Sequence, residues 1–208
     1  MKANRRGGRS CALAIALLVG GCGIMPPERT PVTLYELPAG SLAPSAPQTV
    51  APIDTLLRLA TPEASGLLDG ARIVVMPRPH QPQTYRGARW ADALPRLIRD
   101  RLLDAFHDDG RIPRLIHDDG ALSADVALHS DLRTFRSEYR DDVPEAIVRL
   151  DVRLIEVRSQ RLLASHRFVQ RQRASSEAID DVVGAFGLAM DRLSRELVDW
   201  TATALDKR

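Results

Sequence analysis

Both cysteines of this 208-residue chain, Cys11 and Cys22, fall within its first 22 residues. Everything downstream must therefore fold without a disulfide, a thiolate metal site or a cysteine nucleophile, and must hold by its apolar core alone. The remaining length suffices for that as one domain, since a domain of about 150 residues buries roughly 70% of the surface its unfolded chain exposes.

Upstream of Cys22, Lys2, Arg5, Arg6 and Arg9 form a positive patch free of acidic residues, followed by the apolar run Cys11-Ala12-Leu13-Ala14-Ile15-Ala16-Leu17-Leu18-Val19. A charged segment ahead of a short apolar one is the pattern of an export signal. The run is about half of the roughly 20 residues needed to cross a bilayer, so residues 1–21 read as a cleavable signal and not as a membrane span. Gly20 and Gly21 leave the backbone ahead of Cys22 open to a peptidase, and Leu18-Val19-Gly20-Gly21-Cys22 resembles the lipobox of bacterial lipoproteins. Val19 replaces the commoner leucine. We expect cleavage before Cys22 and lipidation on it; an ordinary secretory signal is the alternative, and no Ala-x-Ala site follows the apolar run to support it. One myristoyl-sized chain holds only marginally, at about 0.8 kcal/mol per buried methylene, but bacterial lipoproteins normally carry three chains, which makes the attachment permanent. Gly23 stands where an inner-membrane retention signal usually has aspartate, so the expected place is the periplasmic face of the outer membrane.

Loss of the signal removes four cations and moves the balance from 29 basic against 27 acidic residues to 25 against 27. The basic character belongs to the signal. It gives no support for a nucleic-acid partner.

Between Cys22 and residue 52 the chain reads as tether. Gly23-Ile24-Met25-Pro26-Pro27-Glu28-Arg29-Thr30-Pro31 is stiff, reaching roughly 3 Å per residue in polyproline-like geometry. Val32-Thr33-Leu34-Tyr35-Glu36-Leu37 is a strand candidate that either docks into the domain or lengthens the leash, and Pro38, Pro44, Pro47 and Pro52 mark a loose segment. The folded domain is expected over residues 53–208. Leu56-Leu57-Arg58-Leu59-Ala60 and Arg72-Ile73-Val74-Val75-Met76 read as strands. Asp92 can cap a helix whose Leu94, Leu97, Ile98, Leu102 and Phe106 recur at three and four residues and which Gly110 ends. A short strand over 112–116 precedes a meander. In it Val126, Leu128 and Leu132 alternate with Asp125, His129 and Asp131, and Val148, Leu150, Val152 and Leu154 with Arg149, Asp151 and Arg153, before Arg158-Ser159-Gln160-Arg161 turns the chain into residues 162–169. A closing helix is expected from Ser175 or Ser176, with Glu177 in its first turn and a stripe through Ile179, Val183, Phe186, Met190, Leu193, Leu197, Trp200 and Ala204. Gly184 and Gly187 each cost about 1 kcal/mol against alanine, so that face should approach the sheet backbone closely. The expected class is α+β, an antiparallel-rich sheet with two long amphipathic helices packed on one face.

Three stretches carry a resemblance: Arg89-Trp90-Ala91-Asp92-Ala93-Leu94-Pro95, Leu162-Leu163-Ala164-Ser165-His166-Arg167-Phe168, and Ala185-Phe186 with Leu193 and Glu196-Leu197-Val198-Asp199-Trp200. In order and spacing they resemble the ABC-type transport auxiliary lipoproteins, which accompany Mce-type lipid-transport systems such as the paraquat-inducible Pqi system. Ala93 departs from the family, which commonly has proline there. The resemblance implies a non-enzymatic outer-membrane component, anchored by its lipid and without cofactor, whose partners are an Mce-domain protein and the ABC permease and ATPase of the inner membrane. A ring of copies around the partner's tip would add docking area.

Gly-x-Ser-x-Gly, a phosphate-binding glycine loop and His-Glu-x-x-His are all missing from the sequence. The repeated His107-Asp108-Asp109-Gly110 and His117-Asp118-Asp119-Gly120 offers histidine and carboxylate, but each copy ends a regular element in glycine and no zinc spacing links the histidines, so turns explain it better than a metal. The meander arginines have carboxylates opposite them and read chiefly as a charge-paired face, with lipid phosphate as the other reading. Trp90 and Trp200 lie on apolar helical faces and read as core. The candidate partner-binding residues are Tyr139, Arg149, Asp151 and Arg153, on the polar side of the sheet and the loop over 139–144. A structural or assembly lipoprotein of another envelope complex, such as a secretion system, is the alternative function; a lipid-modifying enzyme is disfavoured by the missing motifs.

Overall fold

The computed structural model describes residues 31–39, 51–118 and 122–207. Cys22, its signal and residues 23–30 of the tether lie outside the described residues, as do residues 40–50 and Asp119 and Gly120. The elements in order are β1 (Thr33–Tyr35), β2 (Leu57–Leu59), β3 (Arg72–Arg78), β4 (Gln81–Trp90), α1 (Leu94–Asp109), β5 (Leu115–His117), β6 (Val126–Arg140), β7 (Val143–Glu156), β8 (Arg161–Arg173) and α2 (Ile179–Asp206).

The β6–β7–β8 meander follows from local chemistry. Asp141 and Asp142 adopt φ of 49° and 57°, the paired left-handed values of a tight hairpin turn whose twist matches its strands. Short polar side chains tolerate that region better than branched ones. Pairing continues to Arg140 and Val143 beside the turn, so residues 139–144 are hairpin tip and not the loop expected from sequence. An irregularity between Leu132 and Thr134 shifts the register. One extra residue reverses which side chains face inward, so Val126, Leu128 and Leu132 are followed inward by Phe135 and Ser137.

The sheet is mixed, which overturns the antiparallel-rich expectation. Pairs β3/β4, β6/β7 and β7/β8 are antiparallel, whereas β1/β4, β2/β5, β2/β6 and β3/β6 run parallel. The cause lies in β6. One of its edges follows β7 throughout, and the other takes two partners end to end, β2 at Val126 and β3 at Ser137, with Glu63 bridging to Asp131 between them. Such non-local parallel pairs need crossovers and leave no hairpin signature in the sequence. The fold is an α+β one with an eight-stranded mixed sheet.

β4 was not expected. Pro82 and Gly87 interrupt the strand pattern there, and its pairing with β3 carries register shifts. Arg89 and Trp90 therefore close a strand instead of opening the helix. Asp92 stands one residue ahead of the N-cap Ala93, where its carboxylate accepts the Ala93 N–H at 2.6 Å and Arg96 Nε at 2.8 Å. At the far end of α1, Gly110 takes φ 74° and its N–H reaches Phe106 O, as the sequence led us to expect. α2 begins at Ile179, later than expected; Ser176 Oγ accepts the Ala178 N–H at 3.1 Å, and Asp180 and Asp181 rather than Glu177 occupy the first turn, where the helix dipole favours them.

The helices meet each other and the sheet in one apolar cluster. At its centre Trp90 of β4 packs edge-on to Phe135 of β6 and Phe186 of α2, with centroids 5.8 and 5.7 Å away, and the two phenylalanines stack at 4.6 Å. Arg101 of α1 pairs with Asp191 of α2, whose side chain is 1% exposed.

The strand at 33–35 does dock. It runs parallel to the end of β4, the Ala91 N–H donates to Tyr35 O at 2.7 Å, and Tyr35 Oη donates to Asp180 at 2.8 Å. The following Pro38 crosses α2 at Gly187, where a Cβ would lie 2.8 Å from the Pro38 carbonyl oxygen. The close backbone contact is thus made by the N-terminal segment and not by the sheet, and Gly184 faces open space.

Candidate functional site

Strand alternation puts Arg149, Asp151 and Arg153 of β7 on the sheet face that points away from the core, since Val148, Leu150, Val152 and Leu154 between and beside them are buried. Neighbouring strands add to that face at register positions: Asp131 and Asp151 are opposite each other across β6 and β7, and Arg167 is opposite Asp151 across β7 and β8. The side chains pair accordingly. Asp151 accepts Arg167 Nε at 2.5 Å and Nη2 at 2.7 Å, Arg153 Nη2 reaches Asp131 at 3.1 Å, and Arg171 Nη1 reaches Glu145 at 3.0 Å. The hydrogen bond from Arg167 holds the Asp151 carboxyl below the usual carboxylate range against the opposing effect of desolvation, helped by the charges of Arg133 and Arg149; the same bond raises Arg167.

Arg149 sits in the middle of this ladder and differs from the rest. It is partly buried, its Nε is enclosed without a hydrogen-bond partner, and it forms no ion pair among the described residues. The face therefore carries a guanidinium whose charge is felt by Asp151 but which makes no direct ion pair among the described residues. The charge-paired reading made from sequence describes Asp151, Asp131 and Glu145 with their arginines; it took in Arg149 as well, which makes no direct ion pair among the described residues.

Of the four partner-binding candidates, Arg149, Asp151 and Arg153 come together and Tyr139 does not. Tyr139 follows the inward parity of Phe135 and Ser137 near the hairpin tip, where it is 38% exposed beside Pro77 and Arg78. The histidine motifs take structural positions: His107 lies in the last turn of α1 and Asp109 pairs with Arg111, while Asp118 accepts the Thr61 N–H at 2.6 Å. Trp90 is core. Trp200 is only half-buried, against Phe168 and His166 at the rim, which corrects its reading as core.

Fold and face together define a small α+β domain with a laddered basic sheet surface and an N-terminal segment strapped across its second helix. The chain belongs to the ABC-type transport auxiliary lipoprotein component family, whose pattern matches residues 35–198. It is 30% identical over 170 residues to the uncharacterized protein bll6063 of Bradyrhizobium diazoefficiens; that stretch is 76% of this chain and 44% of the relative, so the chain spans less than half of that protein's length. Among solved structures, protein XCC0632 from Xanthomonas campestris is similar at 31% identity with a TM-score of 0.71, covering 77% of this chain and 92% of that one. Protein CT253 from Chlamydia trachomatis shares the fold at 14% identity and a TM-score of 0.50, covering 73% and 98%.

Proposed function

We propose that this chain is a non-enzymatic, Cys22-lipidated component of an Mce-type ABC lipid-transport assembly, which docks the assembly's periplasmic partner at the outer membrane. Family membership supports the auxiliary role. The observation that carries docking is the β6–β8 face, where Arg149, without a direct ion pair among the described residues, lies among paired Arg153, Asp151 and Arg167. A preorganised array of alternating charges gives register and selectivity to a protein partner, and one guanidinium without a direct ion pair at its centre gives that partner's carboxylate a defined place to bind.

Photocrosslinking amino acids at Arg149, Arg153 and Tyr139 in living cells test the reading. Capture of an Mce-domain protein from positions 149 and 153, and less from 139, is the expected result. Capture only of components of another envelope machine, such as a secretion system, would transfer the domain to an assembly role. The anchor is tested separately, by loss of fatty-acid probe labelling in Cys22→Ser.

A further inference from the structure

We infer that the corner formed by β1, the end of β4 and the start of β3 is the surface this protein lays against an anionic phospholipid bilayer, an inference that rests on the Cys22 anchor. The three strands are neighbours in the order β1, β4, β3. Leu34 is paired in register with Arg89, and Arg89 with Arg72, so an aliphatic and two arginines form one row across the sheet. Leu34 is 64% exposed and Val32 49%, and both lie on the outward side of an edge strand. Arg86 joins them: Val32, Arg72, Arg86 and Arg89 surround one shallow depression of about 200 Å³.

Single exposed aliphatics on a surface need no explanation. What distinguishes this corner is its charge. Like charges directly opposite across a ladder destabilise a sheet, and Arg72 and Arg89 are so placed, both exposed. None of Arg72, Arg86 and Arg89 forms an ion pair among the described residues, in contrast to Arg153, Arg167 and Arg171 on the meander. Glu36, exposed farther along the same segment, leaves the corner with a surplus of positive charge. Exposed aliphatics framed by guanidinium groups match the interface of a bilayer, where apolar side chains enter the acyl boundary and cations meet phosphates.

Chain length selects the membrane over an acidic protein as the occupant. Pro31 is nine positions beyond Cys22, a stretch that fully extended spans at most about 30 Å. Val32 and Leu34 follow immediately, so no part of the domain is leashed more closely to the anchor than this corner. Short tethering makes the encounter intramolecular, with an effective concentration that a weak surface contact can exploit.

The test uses the full lipidated chain in vesicles of three parts phosphatidylcholine to one part phosphatidylglycerol. A nitroxide is attached through Leu34→Cys, or through Leu162→Cys on β8, the opposite edge strand; the acylated Cys22 leaves each introduced thiol unique. The expected result is that the label at 34 is several-fold less accessible than the label at 162 to a water-soluble relaxing agent and more accessible to a lipid-soluble one. Combining Arg72→Glu with Arg89→Glu should return it to water. A label at 34 as water-accessible as that at 162 overturns the inference, and so does shielding that survives the double charge reversal, because tether proximity alone would then account for it. Flotation with the vesicles is scored separately. A chain that does not float removes the Cys22 anchor and this inference with it, whereas a floating chain with a wet label removes only the surface.

Discussion

Trp90 is 1% exposed between Phe135 and Phe186, whereas Trp200 shares the rim of an open groove with Leu163, Ala164 and Ala204. Both stand in apolar patterns, and sequence alone did not separate them, because a helical stripe that long overruns the sheet it packs on. The consequence is measurable. Trp90→Ala should destabilise by about 3–5 kcal/mol, as full truncation of a buried aromatic does, and Trp200→Ala by clearly less; equal shifts in urea midpoint would show the rim to be core. Asp151 supplies a second test at this scale. Its folded carboxyl is held below its ordinary value by Arg167, so the contribution of the pair is present above the unfolded pKa near 3.8 and is lost as pH falls through the lower folded value. Carboxyl titration by NMR should place Asp151 below 3.8, and Arg167→Gln should bring it back up; no movement would leave the low value to other causes.

Among the elements, those whose signals are local could be read from the sequence. The hairpin strands announce themselves by alternation, α1 by its apolar spacing and Gly110, and α2 by a stripe that runs from Ile179 to Ala204. The pairing partners of β2, β3 and β1 could not be read, since each pairs parallel with a strand far along the chain, and β4 was hidden by Pro82 and Gly87. On the candidate face, alternation sufficed to group Arg149, Asp151 and Arg153, but Tyr139, expected in the loop over 139–144, belongs to β6, where the bulge after Leu132 sets its parity inward. The N-terminal segment was left open by its sequence, and the detail that decides it is Gly187. A side chain there meets Pro38 at 2.8 Å, backbone against Cβ, so Gly187→Ala should lift the strap while improving the intrinsic helix propensity by about 1 kcal/mol. Hydrogen exchange at the Ala91 amide, which donates to Tyr35 O, should accelerate in this variant with little change in α2; unchanged protection would mean that the strap slides past the methyl.

For the molecule as a whole, the question is whether strap, sheet and helices behave as one cooperative unit. One apolar cluster extends from Leu57 on β2 to Leu205 on α2 and takes in Phe106, Phe135 and Phe168 from three further elements. β6 is bonded along both edges, to β7 on one side and to β2 and β3 on the other, so the meander cannot detach without also releasing the first half of the chain. The Arg101–Asp191 pair fastens α1 to α2, and loss of Arg101 would leave the Asp191 carboxylate as a buried, unpaired charge, which costs about 3–5 kcal/mol. These links all cross between early and late parts of the sequence, and the buried apolar residues form one cluster drawn from both. Unfolding in urea should therefore be a single transition in which far-UV circular dichroism, dominated by the two helices, coincides with the fluorescence of Trp90 in the core and Trp200 at the rim. A fluorescence change that precedes the loss of helix in wild type, and disappears in Trp200→Phe, would instead identify the β8–α2 rim as a separately opening unit.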